Sequence, residues 1–215
     1  MKVSIIITLY NRMELCLKLL FKLQSQIEAK NAQNDIQVII LDDGSTEEKE
    51  YLPAIKSFCA KSGFIYKHQK NGGEAKARNA GKDLATGEYF TYIDCDDDIT
   101  PEYLDDILSE ANYGYDLVAF KWIYKDSGED GCWHDRPLVN WNVWSYIFKT
   151  DVFKPEKFDE KRIVASDYFF LANVVQSYMR IGYAENKRTI IYNANNPQNL
   201  TNRFGRGEVE ANRKD

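Results

Sequence analysis

Four carboxylates stand within five consecutive residues, in the segment Asp94-Cys95-Asp96-Asp97-Asp98, directly after the apolar run 89–93. Like charges this close together cannot all stay ionised without a cation or strong hydrogen-bond donors. Hard oxygen ligands on a short loop suit Mg²⁺ or Mn²⁺, which keep coordination positions open for a phosphate-bearing substrate. The segment therefore predicts a metal site for a diphosphate. The alternative is an acidic turn leading into a helix, since Thr100-Pro101-Glu102 is a good helix start.

The composition is that of an ordinary globular protein. Among 215 residues, 44% are hydrophobic and 28% are charged, which predicts one domain with a full core. The net charge of −5 gives no reason to expect non-specific binding of nucleic acid. The four cysteines show neither paired nor zinc-binding spacing, and there is no signal-peptide pattern and no apolar run of membrane-spanning length. We therefore expect reduced thiols and a cytoplasmic location.

Apolar runs and amphipathic segments alternate through the first half of the chain. Strands are predicted at residues 2–9, 36–41, 64–67 and 89–93, and helices after a cap at Asn11, at 47–62 and at 74–85, the last stopped by Gly87. This alternation predicts an α/β fold with a mostly parallel sheet flanked by helices. Ligands of such sheets bind beyond the carboxyl ends of the strands, where the loops at Tyr10, Asp43 and Asp94 all fall.

The second half changes character. The pattern predicts a strand at 116–122, a hairpin turn at 127–131, a helix at 166–179 capped by Ser166, and a strand at 188–193. This half contains the four tryptophans Trp122, Trp133, Trp141 and Trp144. They are equally suited to stacking on a sugar and to packing in a core under the hairpin. For His134 a structural role is favoured over a contact with an acceptor. The polar tail after Thr201 is expected to be poorly ordered at its end.

Several motifs, in order, resemble the family 2 glycosyltransferases of the GT-A fold. The strand Ser4-Ile5-Ile6-Ile7-Thr8-Leu9-Tyr10-Asn11 is similar to the family's opening strand, and Asp42-Asp43-Gly44-Ser45-Thr46 to its nucleotide-binding loop. Four further motifs match its central block: Asn71-Gly72-Gly73, Ala77-Arg78-Asn79-Ala80-Gly81, Ala85-Thr86-Gly87-Glu88-Tyr89 and Asp94-Cys95-Asp96-Asp97. Residues 144–153 and the segment Ser166-Asp167-Tyr168-Phe169-Phe170 resemble later parts of the family.

The resemblance implies a single GT-A domain over residues 1–215. Within it, residues 1–100 would be the half that binds the nucleotide sugar, 101–200 a smaller mixed acceptor half, and 201–215 a polar tail. The implied activity is a metal-dependent, inverting transfer of a sugar from a nucleoside-diphosphate sugar, most often a UDP-sugar, to an acceptor hydroxyl. The acceptor stays open among a glycan, a lipid-linked glycan, a protein and a modified nucleic acid.

The resemblance also implies the site residues. Mn²⁺ or Mg²⁺ is assigned to Asp94 and Asp96, with Asp96 the more direct ligand and Asp94 alternatively a ribose contact. The donor contacts carried over are Thr8, Tyr10, Asp43, Gly72 and Arg78, besides the two metal ligands. In this set Asp43 would accept the uracil imide hydrogen, Tyr10 would stack on the base, and Gly72 would lie in a loop that approaches the nucleotide closely.

Asp167 is implied as the general base that takes the acceptor's proton. Its position in the first turn of a helix would favour the ionised form, and no second acid is evident as a nucleophile, which implies inversion. Each role has a structural alternative. Asp42 can cap its own turn, Arg78 can be a helix-surface residue paired with an acid, and Asp167 can simply stabilise its helix.

Two departures from the family and two competing functions complete the sequence-based picture. Thr8 stands where many members have Pro, and no His follows His134, so a late histidine contact near Asn195 is not expected. A sugar-nucleotide nucleotidyltransferase would carry a glycine-rich loop after the first strand, and Thr8-Leu9-Tyr10-Asn11-Arg12 has no glycine. An inactive nucleotide-sugar-binding module is disfavoured by the intact acids at positions 43, 94, 96 and 167.

Overall fold

The computed structural model describes residues 1–131, 141–175, 178–197 and 200–208. The expectations for Trp133 and His134 and for the end of the tail fall outside these ranges. Cys16, Cys59 and Cys95 are buried free thiols, as their spacing predicted. In the described part of the chain, every helix is too short or too polar to span a bilayer.

The first half is built on four parallel strands. They are β1 (Val3–Leu9), β2 (Ile36–Asp42), β3 (Ile65–His68) and β4 (Tyr89–Asp94), in the spatial order β3-β2-β1-β4. Three helices connect them: α1 (Met13–Lys30), α2 (Leu52–Ser62) and α3 (Glu74–Asp83). Along β1, Ile5 and Ile7 belong to one apolar cluster and Ile6 to the other, because alternate side chains of a strand point to opposite faces. Both faces of β1 are therefore buried, as its unbroken apolar sequence predicted.

The same sheet continues into the second half, where it becomes mixed. Its strands are β5 (Asp98–Ile99), β6 (Leu117–Tyr124), β7 (Asp130–Gly131), β8 (Tyr146–Lys149) and β9 (Ile181–Tyr192), and its helices are α4 (Tyr103–Glu110), α5 (Thr150–Phe153), α6 (Ser166–Val174) and α7 (Leu200–Gly205). From β4 the order is β8-β6-β9-β5. Strand β8 runs antiparallel to β4 and β6, whereas β9 runs parallel to β6 and antiparallel to β5. The predicted hairpin turn joins β6 to β7.

Several boundaries differ from the prediction. The helix expected at 47–62 is a 3₁₀ turn (Lys49–Tyr51) followed by α2. Strand β9 begins seven residues before the predicted start at 188, and α6 ends at Val174 instead of 179. These errors fall in segments where tertiary pairing outweighs local propensity.

Gly87 is not the stop of α3. The helix ends at Asp83, and Leu84 keeps a right-handed conformation. Gly87 instead donates its N–H to the Ser4 hydroxyl at 2.9 Å, and a Cβ at this position would lie 2.7 Å from the Ser4 backbone nitrogen. A glycine is therefore required here by the close approach to β1.

Candidate active site

The carboxyl ends of the parallel strands bring the predicted donor residues to one edge of the sheet. In the register of the ladders, Thr8 on β1 is paired with Asp94 on β4, and Leu9 with Asp42 on β2. Thr8 is half-buried, whereas Tyr10, just beyond the end of β1, is exposed. The edge therefore presents a hydroxyl, an aromatic ring and carboxylates side by side.

Asp43 is buried and organises the glycine loop. Its Oδ1 accepts hydrogen bonds from the Gln69 amide at 2.7 Å and the Gly72 N–H at 2.8 Å, and its Oδ2 accepts the Gly73 N–H at 2.6 Å. Gly73 has φ +86°, which a side chain would strain. The structure thus brings Asp43 and Gly72 together, and one acceptor position on Oδ2 remains among the described contacts.

Asp42 has the structural role that the sequence offered as an alternative, since it caps the turn that follows β2. It accepts the Ser45 N–H at 2.9 Å, and its Oδ2 accepts the Tyr66 hydroxyl at 2.5 Å and contacts His68 Nδ1 at 3.0 Å. Burial raises the pKa of Asp42, but the hydrogen bonds from Tyr66, Ser45 and His68 outweigh it and keep this pKa below its ordinary value.

Asn11 does not cap α1, contrary to prediction. Arg12 precedes the helix without a side-chain cap, and the Asn11 Oδ1 accepts the N–H groups of Thr46 at 2.7 Å and Glu47 at 3.0 Å. Asn11 adopts φ +52°, a left-handed conformation that asparagine tolerates. Its amide therefore ties the end of β1 to the loop after β2.

Arg78 is the centre of the site. Only 1% of it is exposed, so it is not a helix-surface residue, although it is paired with acids. Its Nη2 lies 3.0 Å from Asp94 Oδ1 and 2.8 Å from Glu74 Oε1, and its Nη1 is hydrogen-bonded to Asp167 Oδ1. Burial lowers the pKa of Arg78, but the negative charges of Asp167, Glu74 and Asp94 have the larger effect, so this pKa lies above its ordinary value. One buried guanidinium therefore joins three carboxylates from three elements.

Asp167 lies in the first turn of α6, as predicted, but Ser166 is not the N-cap. Ala165 holds that position with φ +58°, and no side chain caps the helix. Besides Arg78, Asp167 Oδ2 accepts the Val143 N–H at 3.1 Å. Burial, followed by the nearby charge of Asp94, raises the pKa of Asp167 against the opposing effect of Arg78. The expected stabilisation of the ionised form by the helix is thus outweighed.

Among the described residues, Asp96 and Asp97 form no ion pair, unlike Asp94 with Arg78. Asp96 Oδ2 accepts the Asn196 amide at 2.7 Å, and Asp97 Oδ1 accepts the Asn193 N–H at 3.0 Å. Burial and the charge of Asp94 raise the pKa of both Asp96 and Asp97. Buried acids facing one another are a donor set that a divalent cation would stabilise.

Within the described ranges, no three acidic, histidine or cysteine side chains are arranged so that together they could hold a metal ion. A Mg²⁺ or Mn²⁺ site built on Asp94 and Asp96 does not require three, because such ions often take one or two carboxylates and complete their coordination with phosphate oxygens and water. The residues present fit a cation of this kind that arrives with its diphosphate.

Sequence reasoning missed two contributors. Glu74 is four residues before Arg78 on α3, a spacing at which helix neighbours pair, so the sequence carried a signal for it. Asn196 contacts Asp96 across a separation of 100 residues, for which no local signal exists. It lies beside the position where family members were expected to carry a histidine.

Comparison with known proteins agrees with this geometry. The sequence profile of a family described as Glycosyl transferase family 2 matches residues 4–193. An uncharacterized glycosyltransferase of Rickettsia conorii is 37% identical over 158 residues, 69% of this chain and 24% of that protein. A GalNAc(5)-diNAcBac-PP-undecaprenol beta-1,3-glucosyltransferase of Campylobacter jejuni is 30% identical over 122 residues, 53% of this chain and 36% of that protein. The chain thus spans well under half the length of either relative.

Solved structures share the fold. S. aureus TarS (residues 1–349), in complex with UDP-GlcNAc, superposes with a TM-score of 0.78 at 22% identity, over 94% of this chain and 61% of that one. The mannosyltransferase PcManGT from Pyrobaculum calidifontis, in complex with GDP-Man and Mn²⁺, gives 0.68 at 16% identity, over 98% of this chain and 65% of that one. The GT-A architecture expected from the sequence is confirmed.

Proposed function

Because the chain belongs to glycosyl transferase family 2 and is a glycosyltransferase, we propose that it transfers a sugar from a UDP-sugar to an acceptor hydroxyl, with a divalent metal and with inversion. The single observation that carries this proposal is the sharing of Arg78 by Asp94 and Asp167. This shared contact supports the proposal because Asp94, the proposed metal ligand, and Asp167, the proposed base, lie around the same buried charge.

The donor is inferred from the site and from the fold neighbours. Thr8, Tyr10 and Asp43 line the sheet edge beside Asp94, where nucleotides bind in sheets of this type. The remaining acceptor position of Asp43 suits the imide hydrogen of uracil, and Tyr10 offers an exposed ring for stacking. The TarS neighbour is in complex with UDP-GlcNAc, which favours a UDP-sugar here.

Asp94 and Asp96 would hold Mn²⁺ or Mg²⁺, with Asp96 as the more direct ligand. Among the residues that the structure describes, Asp96 and Asp97 accept hydrogen bonds from amide groups and form no ion pair, and the PcManGT neighbour is in complex with Mn²⁺. When bound, such a cation would neutralise the charge that develops on the leaving diphosphate.

Asp167 would act as the general base. As the acceptor oxygen forms its bond to the anomeric carbon, the bond from that carbon to the diphosphate breaks and the hydroxyl proton passes to the Asp167 carboxylate. Burial raises the pKa of Asp167, and a base whose pKa lies closer to the working pH holds the transferred proton more readily. Arg78 and the Val143 N–H fix the orientation of the carboxylate.

Stereochemistry is the decisive test, because the structure adds two acids that the sequence did not place beside Asp167. Glu74 and Asp94 share its guanidinium partner, and a second carboxylate near the anomeric carbon could serve a retaining mechanism. We expect NMR of the product to show the anomeric configuration opposite to that of the donor. A retained configuration or a trapped glycosyl-enzyme adduct would contradict the proposed base and mechanism together.

A further inference from the structure

Two large aromatic side chains in the second half of the chain are exposed and lie against each other. Trp141 is 68% exposed and Tyr168 is 39% exposed. Their ring centroids lie 4.9 Å apart, with the planes inclined by 53°. By contrast, Trp122 and Trp144 are 6% and 4% exposed and pack edge to face at 5.4 Å. The structure therefore divides the described tryptophans into a core pair and a surface residue.

Both exposed rings belong to the segments that hold Asp167. Tyr168 is the next residue in α6, and Trp141 is two residues before Val143, whose N–H is bonded to the Asp167 carboxylate. Two residues span about 7 Å at most, so the backbone of Trp141 lies close to the segment that touches the carboxylate. The pair of rings therefore lies at the surface, on the two segments that carry and contact Asp167.

The margin of this pair carries hydrogen-bond donors. Tyr168 lies 5.1 Å from Phe169, edge to face, and the Arg162 guanidinium covers the Phe169 ring at 3.4 Å from its centroid. An aromatic face beside polar groups suits a ligand that is apolar on one side and polar at its rim. A pyranose ring has this character, because its C–H bonds can gather on one face while its hydroxyls project from the edge.

A nucleic-acid acceptor is disfavoured at the same place. Nucleobases also stack on aromatic rings, but a phosphodiester chain would have to approach the acids around Arg78 in a protein with net charge −5. Repulsion between like charges weakens such binding. A neutral sugar ring meets no such opposition.

We propose that Trp141 and Tyr168 form the acceptor subsite and that this subsite binds a pyranose ring of a glycan acceptor. The ring's C–H face lies on Trp141, and its attacking hydroxyl is directed to Asp167. The inference rests on the proposed function in taking Asp167 as the base, but binding of the sugar to the rings can be measured without turnover.

The experiment uses saturation-transfer NMR on the full chain with methyl β-D-glucopyranoside, methyl β-D-galactopyranoside and methyl N-acetyl-β-D-glucosaminide as probes. D-sorbitol, an acyclic polyol with hydroxyls but no ring face, is the negative probe. We expect at least one pyranoside to bind and sorbitol not to. Trp141→Ala should weaken that binding by about tenfold or more, since losing an aromatic contact of about 1.4 kcal/mol has this effect. Trp141→Phe should retain most of it.

Tyr113→Ala is the matched control, because Tyr113 is also exposed, at 67%, and its ring packs on Tyr115 after α4. It should leave pyranoside binding unchanged. Equal binding by wild type and Trp141→Ala, equal binding of sorbitol, or no binding of any pyranoside would overturn the subsite. Hydrolysis of UDP-sugars by the wild type, without an acceptor, tests the proposed function separately.

Discussion

Helix α3 buries two cations one turn apart, and their surroundings are opposite. Arg78 is 1% exposed and joins three carboxylates, whereas Lys82 is 0% exposed. No carboxylate lies within 4 Å of the Lys82 ammonium in the described part of the chain; its Nζ is 3.4 Å from the Phe153 carbonyl oxygen. Burial lowers the pKa of Lys82 to about 8, but the pKa of Arg78 is raised by its partners.

The difference separates a buried charge that is compensated by carboxylates from one that is not compensated among the described residues. A buried ion pair gains little net stability, but removing one partner leaves an uncompensated charge and is costly. Arg78 is therefore bound to the acids of the site, whereas the charge on Lys82 opposes folding. The same substitution at the two positions should have opposite effects.

The largest effect is expected for Arg78→Met. Three carboxylates would lose their shared cation, and breaking a buried pair in this way costs about 3–5 kcal/mol of the free energy of unfolding. Urea denaturation at pH 7 measures this loss. Lys157→Met is the control, because the ion pair of Lys157 with Asp83 is exposed and should contribute less than about 1 kcal/mol. A stable Arg78→Met protein would show that the three acids do not depend on this charge.

Asp167→Asn tests the functional side of the comparison. It removes the proposed base but keeps the shape of the side chain and two of the partners of Arg78, so UDP binding should persist while turnover falls by about 10² or more. Transfer kinetics and thermal shifts with UDP distinguish these two outcomes. Turnover near the wild-type rate would move the base to another acid, with Glu74 the first candidate.

Asp96→Asn concerns an acid that Arg78 does not contact. The free protein should be as stable as wild type or slightly more so, because one of two repelling carboxylates is neutralised. The Mn²⁺-dependent part of the stabilisation by UDP, about 2.7 kcal/mol at 100 times the dissociation constant, should be lost. Asp98→Asn, in the same segment but paired at the surface with Lys22, should keep it. Survival of that stabilisation in Asp96→Asn would refute the metal assignment.

The smallest effect is expected for Lys82→Met, as a gain of about 1–2 kcal/mol at pH 7. Between pH 8 and the ordinary lysine value of 10.5, the unfolded chain binds more protons at Lys82 than the folded one, so this group makes wild-type stability rise with pH. The penalty is complete below pH 8. The variant's advantage should thus be greatest at pH 7 and shrink toward pH 10 in denaturation series. An advantage independent of pH would mean that Lys82 binds its proton equally in the folded and the unfolded chain, so that burial does not lower its pKa.

Local patterns predicted the parts of the site that depend on strand ends. The apolar run of β1 and the rule for carboxyl ends placed Thr8, Asp43 and Asp94 at one edge, as found. The roles assigned to Asn11 and Ser166 were wrong because both were judged as helix caps from their neighbours in sequence. In the structure Asn11 bonds a loop 35 residues away, and the tertiary fold sets the start of α6 at Ala165.

Long-range partners explain the rest of what the sequence could not predict. Arg78 meets Asp167 across 89 residues, and the motif around Arg78 does not distinguish a surface helix from a buried one. Trp144 lies in a short 3₁₀ turn (Val143–Ser145) whose three residues are all buried, whereas Trp141 precedes that turn and is exposed. Spacing in sequence carries no information on either point.

The acid loop also has a consequence for the order of synthesis. Two partners of this loop are synthesised much later. Strand β5 pairs with Ile190 and Ile191 of β9, and Asn196 donates a hydrogen bond to Asp96 across 100 residues. At about 5–20 residues per second, a ribosome makes these partners some 5–20 s after the acids. During that interval the parallel strands of the first half can assemble, while the acids at their edge stay hydrated until β9 has been synthesised.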